Sequence, residues 1–91
     1  MEVVIKIPAP LRRLTEGQRE VRTGAGTVAE CIEQLGQTFP GLKDRLCEED
    51  GSVRRFINIY VRGEDIRFGD GLATALRDGD DVSIIPAASG G

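Results

Sequence analysis

The sequence predicts an α+β fold, a mixed sheet of four to five strands packed on one main helix. Three features predict it: an alternating apolar segment at the start, a capped amphipathic segment after a glycine-rich break, and β-branched segments in the second half. A chain of 91 residues makes one domain with a single small core and no room for a deep pocket. We therefore expect a partner protein rather than a stand-alone catalyst.

The N-terminal part predicts two antiparallel strands. Apolar residues alternate through residues 2–7, and two nearby prolines end that strand. Residues 11–15 and 18–23, separated by a Glu-Gly pair, are interpreted as a second strand reached through a turn and anchored by Leu14 and Val21. The buried face of the first strand would carry Val3, Ile5 and Ile7.

The main helix is predicted over about residues 28–38. Thr27 and Glu30 match a capping box, in which each side chain satisfies a backbone donor at a helix start. Pro40-Gly41 is expected to stop the helix, and residues 42–47 to form a short irregular helical turn. The apolar stripe, in which the cysteine would be a small core residue, consists of Val28, Cys31, Ile32, Leu35 and Phe39.

The second half predicts one strong strand, one short one and a closing strand. β-Branched and aromatic residues fill both faces of residues 55–62, so we expect both faces to be covered. A turn leads into a short segment at 65–68, and the turn signal at 78–80 precedes a closing strand over 82–86. In the closing strand, Val82 and Ile84 share one face and Ser83 and Ile85 the other.

This order of elements predicts the β-grasp arrangement. One capped helix lies over a mixed sheet, and a crossover pairs the first and last strands in parallel. No internal repeat or linker divides the chain, so residues 1–86 are expected to form one domain, followed by a flexible tail at 87–91. The helix stripe is expected to pack on the central strands through Val3, Ile5, Ile7, Val82 and Ile84.

Charge and composition exclude several function classes. A net charge of −3 with a pI near 4.9 disfavours nucleic acid as a partner, because counterion release needs clustered Lys and Arg. No apolar run approaches membrane-spanning length, and Glu2 and Lys6 argue against a signal peptide, which leaves the cytoplasm as the default. Two cysteines and no histidine are too few for a zinc site or an iron-sulfur cluster, and no catalytic residue is predicted.

The chain ends in an uncharged stretch that stops at Gly90-Gly91. A terminal carboxylate without a neighbouring side chain can be threaded through a narrow tunnel into the active site of another enzyme. The reactive group is therefore expected to be the chain end itself. The competing interpretation is a floppy end or a cloning scar.

These features together resemble the ubiquitin-like sulfur carriers of the MoaD/ThiS family. The resemblance is carried by the capped helix, by Ile57-Asn58, by residues 76–82 and by Gly90-Gly91, and it covers nearly the whole chain. Residues 55–68 followed by 71–76 resemble more narrowly the CysO subgroup, whose carriers serve cysteine synthesis.

The resemblance implies a protein substrate rather than an enzyme. An ATP-dependent adenylating enzyme of the MoeB/ThiF kind would activate the Gly91 carboxylate, and a sulfur donor would displace AMP to leave a thiocarboxylate. Ala88, Ser89 and Gly90 would thread into that partner. For the CysO-like subgroup, a pyridoxal-phosphate (PLP)-dependent cysteine synthase would accept the sulfur, and a zinc-dependent hydrolase would release the cysteine. ATP, PLP and zinc thus belong to partners, and this chain is expected to bind no cofactor or metal.

A docking patch is predicted on the outward face of the sheet. Its members would be Ile57, Ile59, Val61 and Ile85. Alternation alone does not decide between this set and Phe56, Asn58 and Tyr60, so the choice rests on how the resemblance places the outward face. The alternative occupant of such a patch is a second copy of the chain.

Other functions stay open at this point. The family also passes sulfur to molybdopterin precursor, thiamin thiazole or transfer RNA. A ubiquitin-like modifier, in which Gly91 forms isopeptide bonds, fits the same core and tail; Ser89 then stands where ubiquitin has a basic residue. An interaction domain with an idle tail is the third class.

Overall fold

The computed structural model describes residues 1–87 and contains a five-stranded mixed sheet. The spatial order of the strands is β2-β1-β5-β3-β4, with β1 and β5 parallel and the other neighbours antiparallel. The α+β, β-grasp prediction is thereby confirmed. The strands are β1 (Val3–Lys6), β2 (Glu20–Thr23), β3 (Ile57–Val61), β4 (Glu64–Asp65) and β5 (Asp81–Pro86).

The main helix, α1 (Val28–Thr38), has the predicted bounds. The Thr27 hydroxyl accepts a hydrogen bond from the Glu30 amide at 3.2 Å, which confirms the cap. The Glu30 carboxylate accepts in turn from the amide of Gly26 at 3.1 Å, one residue earlier than in the standard box. The two bonds satisfy backbone donors at the start of the helix, so the boundary at residue 28 follows from local sequence.

The core lies between α1 and the inner face of the sheet. Apolar residues of both elements belong to one buried cluster, as predicted from the helix stripe and the strand alternation. Those predicted residues are Val28, Ile32, Leu35 and Phe39 of the helix region and Val3, Ile5, Ile7, Val82 and Ile84 of the strands. Cys31 is buried in the same cluster, as expected of a small core residue.

The predicted strand at residues 11–15 is wrong. A 3₁₀ helix occupies Ala9–Thr15, with a proline in its first turn. Proline has no amide to pair with a neighbouring strand and its fixed φ suits a helix start, so the segment coils before the sheet resumes. Strand β2 is therefore confined to Glu20–Thr23, beyond a turn in which Glu16 has a φ of 57°.

Pro40 begins a second helix and does not simply end the first. Helix α2 (Pro40–Leu46) is regular, and its start is two residues before the predicted irregular turn at 42–47. Gly36 allows the two helices to approach closely, because a Cβ atom there would lie 2.9 Å from the Cδ atom of Lys43.

The second half of the chain follows the predicted order with shorter strands. Arg62 and Gly63 both have positive φ, of 52° and 81°, as in a two-residue hairpin turn between β3 and β4. The segment predicted at 65–68 is mostly a 3₁₀ helix, Ile66–Phe68, with a further 3₁₀ turn at Gly71–Ala73. These connections return the chain to β5 at the centre of the sheet.

Candidate functional site

Ala87 is the last residue that the structure describes, and it is tied to the end of β3. Its amide donates a hydrogen bond to the Phe56 carbonyl at 2.7 Å, while Pro86 lies opposite Ile57 in the strand register. We call Ala87 and Phe56 the tail root. The predicted threading residues and the predicted sulfur-carrying residue lie outside the described part of the chain; they are Ala88, Ser89, Gly90 and Gly91.

The predicted division between a domain at 1–86 and a tail at 87–91 falls beside this bond. Ala87, the first residue of the predicted tail, pairs with the sheet. That division of the chain stays a prediction.

The predicted exposed patch is wrong for three of its four residues. Ile57, Ile59 and Val61 are buried, with Ile59 only 1% exposed, whereas Ile85 is 46% exposed. Ile59 pairs with Ile84 in the antiparallel register, so both side chains point to the inner face. Asn58 and Tyr60, on the other face of β3, are half-buried, and the expectation that this face is covered too stays a prediction.

The outer face of the sheet is instead mixed in polarity. Asn58 lies opposite Ile85, and Tyr60 lies opposite Ser83, all on the side away from the core. A salt bridge joins the Lys6 ammonium and the Asp81 carboxylate at 3.3 Å at another part of this face. Asn58 and Tyr60 belong to the alternative set that the alternating pattern left open. Polar residues of the neighbouring strands lie on the same face.

Two exposed apolar side chains lie at the tail root: that of Phe56 itself and that of the nearby Ile85. Ile85 precedes Ala87 by two residues, and Phe56, 48% exposed, supplies the carbonyl that Ala87 binds. We call Ile85 and Phe56 the apolar pair. Apolar surface beside the point where the chain leaves the sheet is suited to docking a partner that receives the tail. Whether Ile85 contacts a partner stays a prediction.

Sequence reasoning missed Arg67, which braces the turn before β3. Its guanidinium donates to the carbonyls of Arg54, Arg55 and Ile57 at 2.8, 3.2 and 2.7 Å. It also donates to the side-chain oxygen of Asn58 at 2.6 Å. An arginine in a short loop segment carries no local signal of such contacts, because its acceptors lie about ten residues away in sequence.

Both thiols lie in the core. Cys31 and Cys47 are free and buried. Burial, with a smaller contribution from Glu30, raises the pKa of Cys31 from 9.0 to about 11. Burial also raises the pKa of Cys47, although Lys43 opposes the shift. Both groups are therefore protonated near neutral pH, and a protonated thiol is a poor nucleophile and metal ligand.

Among residues 1–87, no group of three or more His, Cys, Asp or Glu side chains is placed to hold a metal ion. No helix in the same range is long and apolar enough to cross a membrane.

Comparison with known proteins decides the family. The model of the ThiS family matches residues 5–91. This chain belongs to the ThiS family. It is 44% identical over 93 residues to the sulfur carrier protein CysO of Mycobacterium tuberculosis, with all of both chains covered. It is also 35% identical over 94 residues, again with both chains fully covered, to small archaeal modifier protein 3 of Haloferax volcanii.

A solved structure agrees in fold. In the crystal structure of the BexX/CysO complex of Amycolatopsis orientalis, the matching chain has a TM-score of 0.90 and 42% identity, with 98% of this chain and 99% of that chain covered. The chain is thus a sulfur carrier of the ThiS/MoaD family, similar to CysO. Carriers of this family are non-catalytic protein substrates of partner enzymes and bind no cofactor of their own.

Proposed function

We propose that this carrier transports sulfur as a thiocarboxylate on Gly91 and delivers it for cysteine biosynthesis. The observation that supports the proposal most is the full-length similarity to CysO at 44% identity. The Gly-Gly end and the apolar pair beside the tail root fit the same role.

The proposed chemistry takes place in two steps at the Gly91 carboxylate. In the first, a carboxylate oxygen attacks the α-phosphorus of ATP, so that an acyl-adenylate forms and pyrophosphate leaves. In the second, a sulfide-level donor attacks the acyl carbon, and AMP leaves with the former carboxylate oxygen. Adenylation turns a poor electrophile into a good one, and the product holds a soft sulfur nucleophile on a macromolecule.

The geometry of the tail limits where the partner's nucleotide can lie. Ala87 is hydrogen-bonded to Phe56, and Gly91 follows it by four residues in the sequence. Four extended residues span at most about 14 Å. The adenylating site therefore has to lie within about that distance of the tail root, at the end of a tunnel narrow enough to favour Ser89, Gly90 and Gly91.

The proposed docking surface is the apolar pair rather than the face first predicted. Ile85 and Phe56 project beside the tail root, where contact with a partner directs the tail into that partner. We propose an ATP-dependent adenylating enzyme of the MoeB/ThiF kind as the first partner. The sulfur acceptor proposed is a PLP-dependent cysteine synthase, followed by a zinc-dependent hydrolase that releases cysteine, all in the cytoplasm.

The direct test is intact mass of the carrier after incubation with the adenylating enzyme, ATP and sulfide. We expect a mass increase equal to replacement of one oxygen by sulfur, located at Gly91 by fragmentation. The loaded carrier is then offered separately to cysteine, molybdopterin and thiazole synthases. Sulfur transfer to the cysteine synthase alone supports the proposed acceptor. Transfer to another synthase instead would identify that enzyme as the acceptor.

A second candidate function is protein modification through isopeptide bonds. The similarity to small archaeal modifier protein 3 favours it. Within this chain the only possible acceptors are Lys6 and Lys43, which are salt-bridged to Asp81 and Glu33. Covalent ladders on cellular proteins that disappear when Gly91 is removed would support this function over sulfur transport.

A further inference from the structure

We propose that Arg67 is a positioning residue that fixes the direction in which the C-terminal tail leaves the sheet. The inference deepens the proposed function and rests on it only for the adenylation measurement. Its structural part concerns the free carrier and can be tested without any partner.

The guanidinium of Arg67 binds the turn that precedes β3. The Ile57 amide donates to the Arg54 carbonyl at 3.0 Å, which closes a turn over residues 54–57. Three of the four carbonyls in that turn, those of Arg54, Arg55 and Ile57, accept from the Nη2 atom of Arg67, whose two hydrogens are therefore shared among three acceptors. The Nη1 atom of the same group donates to Asn58, so the brace continues into the strand.

The fourth carbonyl of the turn belongs to Phe56 and holds the tail. It accepts the amide hydrogen of Ala87 at 2.7 Å. The turn is therefore linked to Arg67 through three carbonyls and to Ala87 through the remaining one. The peptide unit that carries the Phe56 carbonyl shares Cα atoms with the units of Arg55 and Ile57, so fixing those two units narrows the φ and ψ angles open to the Phe56 carbonyl.

The arrangement is specific to arginine. A planar guanidinium presents several N–H groups in a fixed plane and can bond several oxygens at once, whereas an ammonium acts as a compact point charge. The Arg67 backbone is itself held, since its amide donates to the Asp65 carboxylate at 2.9 Å. The brace thus connects the loop after β4 to the tail root across β3.

The direction in which the chain leaves Ala87 decides which part of a partner its end can reach. Four residues span at most about 14 Å, so the chain end can reach only sites close to Ala87 and on the side toward which the chain leaves the sheet. Reactive groups need placement to within about an ångström for efficient attack. Loss of the brace should therefore impair adenylation even when the carrier is fully folded.

The first measurement is solvent exchange of the Ala87 amide by NMR in the free carrier. We expect Arg67→Gln to accelerate that exchange about tenfold while amides of β1 and β5 change little. Arg67→Lys should give an intermediate acceleration, and Arg13→Ala, an exposed arginine in the 3₁₀ helix, should give none. The proposal is overturned if Ala87 exchange is unchanged, or if it rises in step with the amides of β1 and β5, as general destabilisation predicts.

The second measurement is ATP–pyrophosphate exchange by the adenylating enzyme. We expect Arg67→Gln to lower kcat/KM about tenfold, and Ala87→Pro, which removes the donated N–H, to lower it similarly. The kcat/KM of the double variant should be no lower than that of either single variant, because both substitutions break the same linkage. Additive losses would overturn the linkage. Failure of the wild-type carrier to support exchange would overturn the proposed function, while the NMR result would still decide the role of Arg67.

Discussion

Ile59 and Ile85 lie on opposite faces of the sheet, although both belong to apolar strand segments. Ile59 is packed against the core, whereas Ile85 projects beside the tail root. The two side chains are chemically identical, so substitutions at these positions separate burial from partner contact.

We predict opposite outcomes for aspartate at these two positions. Ile59→Asp should unfold the carrier or cost roughly 3–5 kcal/mol, because a carboxylate would be buried without a partner. Ile85→Asp should keep the fold and weaken binding to the adenylating enzyme. Urea denaturation and a binding assay measure the two effects. A folded Ile59→Asp variant of normal stability would show that the inner face has been misassigned.

The raised pKa of Cys31 makes stability depend on pH. Between 9.0 and about 11 the unfolded chain loses this thiol proton while the folded chain retains it. The free energy of unfolding should therefore be unaffected below about pH 8 and fall as pH rises through that window, by up to about 3 kcal/mol.

Two variants isolate this effect in alkaline urea denaturation. Cys31→Ala removes the thiol and should make the decline between pH 9 and 11 shallower, while the raised pKa of Cys47 maintains part of it. Val28→Ala removes volume from the same buried stripe and should keep the full decline. Identical slopes in both variants would mean that another group causes the alkaline loss.

The elements differ in how far local sequence determines them. The bounds of α1 are set by Thr27 and by the apolar period, which are both readable in the sequence. In the segment at 11–15, Leu11 and Leu14 are three residues apart, which is the period of a 3₁₀ helix rather than of a strand, and the neighbouring prolines favour the same conformation. The strand prediction is therefore wrong on grounds that the local sequence already contains.

The site could be predicted only where its determinants are local. The alternating pattern of the closing strand predicts that Ile84 and Ile85 lie on opposite faces, and the structure confirms it. The face of Ile57, Ile59 and Val61 depends on pairing with β5, which is a long-range property. The four bonds of Arg67 likewise depend on a hairpin that brings two distant segments together.

The cap of α1 supplies a prediction at the level of the element. Thr27→Ala removes the hydroxyl that accepts from Glu30 and should lower the free energy of unfolding by about 1 kcal/mol. Thr38→Ala, at the exposed far end of the same helix, is the matched control and should have almost no effect. Equal stability of the two variants in urea would contradict a contribution from the cap.

At the scale of the whole molecule, folding and sulfur transport use different parts of the chain. Within the part of the chain that the structure describes, the buried cluster spans residues 3–84, and Ala87 makes the last contact. We therefore predict that deleting Gly91 leaves the thermal unfolding midpoint nearly unchanged, because no core residue is lost. A midpoint drop as large as that of Thr27→Ala would contradict this separation.

ATP–pyrophosphate exchange catalysed by the adenylating enzyme tests the central claim most directly. Wild-type carrier should support exchange, and the carrier lacking Gly91 should support none, since its carboxylate stops one residue short of the nucleotide. Gly90→Val should reduce the rate without abolishing it, because a branched side chain obstructs a narrow tunnel and restricts the backbone. Equal exchange with all three proteins would contradict the account and leave the tail without a function.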